Sequence, residues 1–173
     1  MQQRWIFGYG SLMWKPGFDF ISQSHARIRG YHRSLCIYSL HHRGTEQKPG
    51  LVLGLDRGGS CVGVAFQVEP EKWDTTVAYL REREQVSMVY LETTQTVELL
   101  GTHQKVQALA YVADREHEQY AGKLTHENLM KHVLQGEGQM GRCTDYVMNT
   151  ITHLKEMNIR DKTLEALGTE LGG

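Results

Sequence analysis

The chain has 173 residues, enough for about one domain with a self-sufficient core. Its 19 Lys plus Arg against 20 Asp plus Glu leave a net charge of -1, so no global field gathers polyanions or anionic lipid. That excludes a charge-driven nucleic-acid or membrane binder. The longest apolar runs, such as Trp5-Ile6-Phe7 and Val64-Ala65-Phe66, are too short to span a bilayer. The polar start Met1-Gln2-Gln3-Arg4 does not resemble a signal peptide. The expectation is a soluble, cytoplasmic protein folded as a single domain over residues 1–173. Cys36, Cys61 and Cys143 stand far apart with no Cys-x-x-Cys spacing, which suits reduced, buried thiols rather than a disulfide framework. Gly is abundant at 18 and Pro scarce at 3, a balance of tight turns and close backbone approaches rather than linkers.

In chain order, Arg4 to Phe7 reads as a strand that runs into the turn-prone Gly8-Tyr9-Gly10-Ser11. Ile28 to Ser39, Leu51 to Leu55 and Cys61 to Val68 are further strands. The second and third are parted by Asp56-Arg57-Gly58-Gly59, which reads as a hairpin turn. Glu69-Pro70 changes the period: Pro70 suits a first helical position, and Trp73, Val77 and Leu80 follow at spacings of four and three. Met88 to Leu99 and Lys105 to Val112 return to strand character. Thr125 to Gln135, Cys143 to Met157 and Asp161 to Leu171 read as helices. This order indicates an α+β (mixed α/β) fold whose sheet is mainly antiparallel and could curl into a barrel.

Helical spacing singles out Glu84, because four residues beyond Leu80 the apolar stripe of the Trp73 helix ends on a carboxylate. Glu82, two residues past Leu80, lies about 200° around the helix and faces solvent, as Glu71 does. Desolvation raises the pKa of an inward carboxylate and makes it a better general base. The competing reading is an ion pair with Arg83 or Arg81 at the helix end. The second candidate is Gly8-Tyr9-Gly10-Ser11-Leu12, where two glycines admit close backbone approach and successive amides can form a nest for a carboxylate or oxyanion. Ser11 adds a hydroxyl, and the same run also fits an ordinary turn.

Other signals carry less. Gly136-Glu137-Gly138-Gln139-Met140-Gly141 spells the dinucleotide pattern, but a helix precedes it where a strand is required. His41 and His42 are adjacent and His126 and His132 are six apart, so neither pair has the i, i+4 geometry of a helical zinc site, and no metal is expected. Ser11 lacks the Gly-x-Ser-x-Gly elbow of a nucleophile.

Taken together, several segments resemble one family. They are Phe7-Gly8-Tyr9-Gly10-Ser11-Leu12 with Trp14-Lys15-Pro16, then His42-Arg43-Gly44-Thr45 with Lys48-Pro49-Gly50, then Cys61 to Phe66. Tyr79-Leu80 with Arg83-Glu84 follows, and then Gly138 and Gly141 with Asp145-Tyr146-Val147. The ordered set is similar to the ChaC-type γ-glutamylcyclotransferases. Leu12 stands where the wider superfamily often has Asn, which fits the ChaC branch better.

The resemblance implies a γ-glutamylcyclotransferase-like fold, a small mixed β-barrel flanked by helices. It implies conversion of glutathione to 5-oxoproline and cysteinylglycine with no metal or organic cofactor. The family's catalytic glutamate maps to Glu84, its substrate loop to Ile6, Phe7, Gly8, Tyr9, Gly10, Ser11 and Leu12, and its tyrosine beside the γ-glutamyl group to Tyr146. Two alternatives stay open at this point. One is a cyclotransferase for other γ-glutamyl amines or amino acids, and the other is a non-enzymatic regulator of cation transport.

Overall fold

The protein is described here from a computed structural model, which covers residues 4–85 and 88–172. The first three residues of the polar start lie outside the described residues. Its contacts fall into two compact units: residues 1–34 with 55–114, and residues 35–54 with 115–173.

Five strands form a closed barrel: β1 (Arg4–Gly8), β2 (Ser22–Ser39), β3 (Gly50–Val68), β4 (Tyr90–Leu99) and β5 (Lys105–Ala113), in the order β1-β3-β2-β4-β5. Within the first unit, β1 runs antiparallel to the end of β3, with Ile6 opposite Phe66, and parallel to β5, with Ile6 opposite Leu109. Because β1 is short and paired on both sides, its backbone is held along its length and its last residue, Gly8, is delivered to a fixed point. β4 and β5 make a long antiparallel ladder from Tyr90 opposite Ala113 to Glu98 opposite Lys105.

Two sequence expectations are corrected. β2 begins at Ser22, well before Ile28. Its polar start has no apolar alternation to announce it, but tertiary partners recruit it: the Ile21 N–H donates to Gln67 and the His25 carbonyl accepts from Leu100. The expected hairpin at Asp56-Arg57-Gly58-Gly59 is instead the middle of one long strand, β3. Gly58 and Gly59 do take the positive φ that a turn wants, +105° and +67°. However, β2 lies beside them, with His32 Nδ1 2.9 Å from the Gly58 carbonyl oxygen and Arg33 Nη2 donating to Val62 at 2.7 Å. The chain passes through both glycines without reversing.

The helix predicted after Glu69 is present as a 3₁₀ turn, Pro70–Lys72, leading into α1, Trp73–Glu84. Glu69 is extended, with ψ 137°, and Pro70 starts the turn with its preset φ and no N–H to satisfy. Leu80 is fully buried in a cluster with Ile6, Leu12, Val68 and Tyr111, and Phe18, Trp73, Tyr90 and Leu109 pack around it. Burying a leucine of this kind contributes about 1.5–3 kcal/mol. The cluster therefore binds the helix, the first strand and the residue just past the glycines to one another.

The second unit holds α2 (His126–Gln135), the short strands β6 (Glu137–Gly138) and β7 (Gly141–Arg142), α3 (Cys143–Glu156) and α4 (Lys162–Gly172). The Thr125 hydroxyl caps α2 by accepting the Asn128 N–H at 3.2 Å. α4 packs on α3, and a Cβ at Gly168 would lie 2.7 Å from Ile151 Cδ1, so a side chain there would have to displace that methyl group. Cys36, Cys61 and Cys143 are buried thiols outside any disulfide, as the sequence reading expects.

Candidate active site

The glycine turn is built from the end of β1. After Gly8, the chain passes through Tyr9 and Gly10 into a 3₁₀ turn, Ser11–Met13, closed by the Met13 N–H donating to the Gly10 carbonyl at 2.9 Å. The leading amides of such a turn have no acceptor within it. A Cβ at Gly63 would run into the Gly8 carbonyl oxygen, so β3 presses on the turn from behind through a residue with no side chain. Arg33, itself buried, donates from Nε to the Tyr9 carbonyl at 2.6 Å and from Nη2 to Val62. Sequence reading missed Arg33, because a cation inside a strand reads as a solvent-facing position.

Of the loop residues assigned from sequence, Ile6, Phe7, Tyr9 and Leu12 have buried side chains, and Ile6 and Phe7 belong to the strand. Gly8 and Gly10 are buried as well, while Ser11 alone in this run is exposed. The turn thus offers its backbone and one hydroxyl.

α1 supplies the acid. Glu84 is the helix's last residue, one turn beyond Leu80 on the same face, with its side chain 18% exposed. Burial pushes its carboxyl up from the ordinary glutamate value, and the neighbouring Arg83 guanidinium, 3.5 Å away, opposes that shift more weakly. Both readings of the helix end are therefore realised: the acid faces inward and it also touches Arg83. Glu82 and Glu71 are exposed, in line with the helical phase. Arg81 turns away to a two-pronged pair with Glu92, both contacts at 2.9 Å. The same Arg83 that touches Glu84 donates to Ser11 Oγ at 3.0 Å, so a single guanidinium joins the acid to the glycine turn.

Tyr146 stands on α3 in the second unit. Its hydroxyl accepts the Leu53 N–H at 3.0 Å, and the Arg43 guanidinium lies 5.6 Å from the centre of its ring. The Gly136–Gly141 run follows α2 and forms the tight β6–β7 ribbon, with Gly141 at φ +114°. This is the context the sequence predicts for it, and it lacks the strand-to-helix geometry that cradles a pyrophosphate. Ser11 Oγ is held by a cation, the opposite of the base that a nucleophilic serine needs. His126 pairs with Glu170 at 2.8 Å, whereas His132 is half-buried between the Pro49 carbonyl and the Tyr38 ring.

Comparisons with known proteins place the chain in a family. The family model described as "ChaC-like protein" matches residues 4–172. A relative in Mus musculus, named glutathione-specific gamma-glutamylcyclotransferase 1, is 34% identical over 99% of this chain and 79% of its own length. One in Escherichia coli (strain K12), named glutathione-specific gamma-glutamylcyclotransferase, is 29% identical over 94% of this chain and 70% of its own. A yeast crystal structure of a gamma-glutamyl cyclotransferase specific to glutathione superposes with a TM-score of 0.85 at 22% identity, covering 99% of this chain and 96% of that one, a likeness of fold. The barrel, the glycine turn and the inward acid thus sit in a chain matched nearly from end to end, which belongs to the ChaC-like family.

Proposed function

We propose that this protein is a glutathione-specific γ-glutamylcyclotransferase that works by intramolecular aminolysis, with Glu84 as general acid and base. One observation carries the reading: a desolvated carboxylate on the core side of α1, joined through Arg83 to Ser11 of the glycine turn. The names of the relatives support glutathione over other γ-glutamyl compounds.

In the reaction the substrate's α-amino nitrogen attacks its own γ-amide carbonyl carbon. A C–N bond forms to close the five-membered lactam, and the original γ-amide C–N bond breaks to release cysteinylglycine. Atoms balance without water, so the scheme calls for no enzyme nucleophile and no cofactor. The protein's task is orientation, which in well-aligned systems is worth several kcal/mol. Glu84 takes a proton from the attacking nitrogen and returns one to the departing amine, a role worth about 10² to 10⁴ in rate. A carboxyl whose proton affinity is raised by burial suits both halves of that exchange.

The backbone N–H groups of Gly8 to Leu12 hold the α-carboxylate or the developing oxyanion, where losing one donor costs about 10² or more. The side chains of Ile6 and Phe7 are sealed in the core, so they support the loop from below. For Tyr146 the assignment to substrate binding rests on the family resemblance, and the Leu53 N–H fixes its hydroxyl within its own unit. The test is incubation of purified protein with glutathione, with γ-glutamyl amines and γ-glutamyl amino acids alongside, read by mass spectrometry. Stoichiometric 5-oxoproline and cysteinylglycine from glutathione are expected; absence of cysteinylglycine overturns the proposal.

A further inference from the structure

Trp14-Lys15-Pro16-Gly17 has no part in the scheme above, yet the structure gives it a specific seat. Arg83 Nη1 donates to the Lys15 carbonyl at 2.7 Å, the Pro16 carbonyl at 3.0 Å and the Tyr79 hydroxyl at 3.2 Å. Its Nη2 donates to Ser11 Oγ at 3.0 Å, and its Nε faces Glu84 Oε1 at 3.5 Å. Gly17, at φ +76°, lets the chain close over Tyr79, whose hydroxyl fills the space a Cβ would need. All three nitrogens of one guanidinium are thus engaged, on two sides of the same corner. The segment Ser11 to Pro16 is tied to the end of α1 through a side chain only 23% exposed.

We propose that Arg83 is a positioning residue for the reaction: its fork fastens the glycine turn to α1, and its charge holds Glu84 against that turn as a carboxylate. This rests on the assignment of Glu84 as the proton carrier. The two contributions are separable, because a lysine keeps the charge but is a point donor that cannot span carbonyls, hydroxyl and carboxylate together. A glutamine keeps hydrogen-bonding capacity and loses the charge.

Among the described residues, two groups act on or respond to Glu84. On α1 there is Arg83 itself. From β5 there is Tyr111, on whose proton affinity Glu84 acts, and whose hydroxyl donates to Glu92 of β4, itself paired with Arg81. Lys15 contributes its carbonyl to the corner while the residue is exposed. Removing the Arg83 charge leaves burial of Glu84 with its chief opponent gone, so the carboxyl's proton affinity rises and a higher pH is needed to generate the base.

The experiment measures the pH dependence of cysteinylglycine release for wild type, Arg83→Lys and Arg83→Gln, with Arg29→Gln as a control that loses a surface cation paired to Glu98. In parallel, the Glu84 carboxyl is titrated by ¹³C NMR, identified by its loss in Glu84→Gln. Arg83→Lys is expected to lower kcat by about 10- to 100-fold with the acidic limb in place, as loosened alignment does. Arg83→Gln is expected to lose at least as much and to move the limb and the NMR titration to higher pH.

Wild-type kcat in Arg83→Lys overturns the fork, and an unmoved titration in Arg83→Gln overturns the charge. A limb displaced equally in Lys and Gln overturns both, since only structural disturbance then remains. If Arg83→Gln does not fold, the lysine variant's kcat and limb decide. Failure of the wild type to consume glutathione would sink the proposed function instead, and the NMR titration would still decide whether Arg83 governs Glu84.

Discussion

Glu84→Gln separates a catalytic acid from a structural one, because the two roles predict opposite changes in stability. Glutamine preserves shape and volume and removes the exchangeable proton, so kcat for cysteinylglycine release should fall by about 10² to 10⁴. That loss corresponds to roughly 2.7–5.5 kcal/mol of transition-state stabilisation. The sign for folding follows from burial. In the native state the carboxyl holds its proton more tightly than in the unfolded chain, so the folded state loses stability as pH rises through the interval above the ordinary glutamate value. Above the raised native pKa that loss is complete, and there replacing the charge by a neutral amide should raise Tm. Below the unfolded pKa, where both states are protonated, the difference should close. Turnover by mass spectrometry and thermal unfolding at pH 7 and pH 3.5 check the two halves. A variant within tenfold of wild-type kcat refutes the proton-carrier role. A variant with lower Tm at pH 7 refutes the desolvated carboxylate and leaves the 3.5 Å contact with Arg83 as a stabilising ion pair.

Glu82→Gln, at an exposed position on the opposite face of α1, should change kcat less than twofold; a loss comparable to Glu84→Gln would mean that the helix phase does not select the base. Leu80→Ala should cost about 2.7–5 kcal/mol, because Ile6, Leu12, Val68 and Tyr111 line the space it vacates, and chemical denaturation will measure it. At about 2–4 °C per kcal/mol, a fall in Tm smaller than about 3 °C would contradict that packing. Glu92→Gln should lower Tm at pH 7: Arg81 chiefly, and the Tyr111 hydroxyl after it, hold the Glu92 carboxyl below the ordinary value. That stabilisation is present above the unfolded pKa and lost as pH falls through the depressed native one, so wild type and variant should converge in acid.

The sequence by itself determined most of the elements and the inward phase of one acid. Trp73, Val77, Leu80 and Glu84 share a face by helical geometry alone, and no partner is needed to say that Glu82 points elsewhere. Gly8-Tyr9-Gly10-Ser11 announces a close backbone turn through local chemistry, and the family resemblance adds the expectation that it holds substrate. Tertiary structure decided what depends on neighbours distant in the chain. The polar start of β2 and the unbroken run of β3 through Gly58-Gly59 exist because other strands satisfy their backbone groups, a condition no local pattern encodes. The same is true of the arginines that fix the site. Arg33 reaches from β2 to the Tyr9 carbonyl, and Arg83 gathers Ser11, Lys15, Pro16 and Glu84 on one guanidinium. A long charged side chain finds its partners only after the backbone has brought them within reach, so its role is written in the fold rather than in spacing.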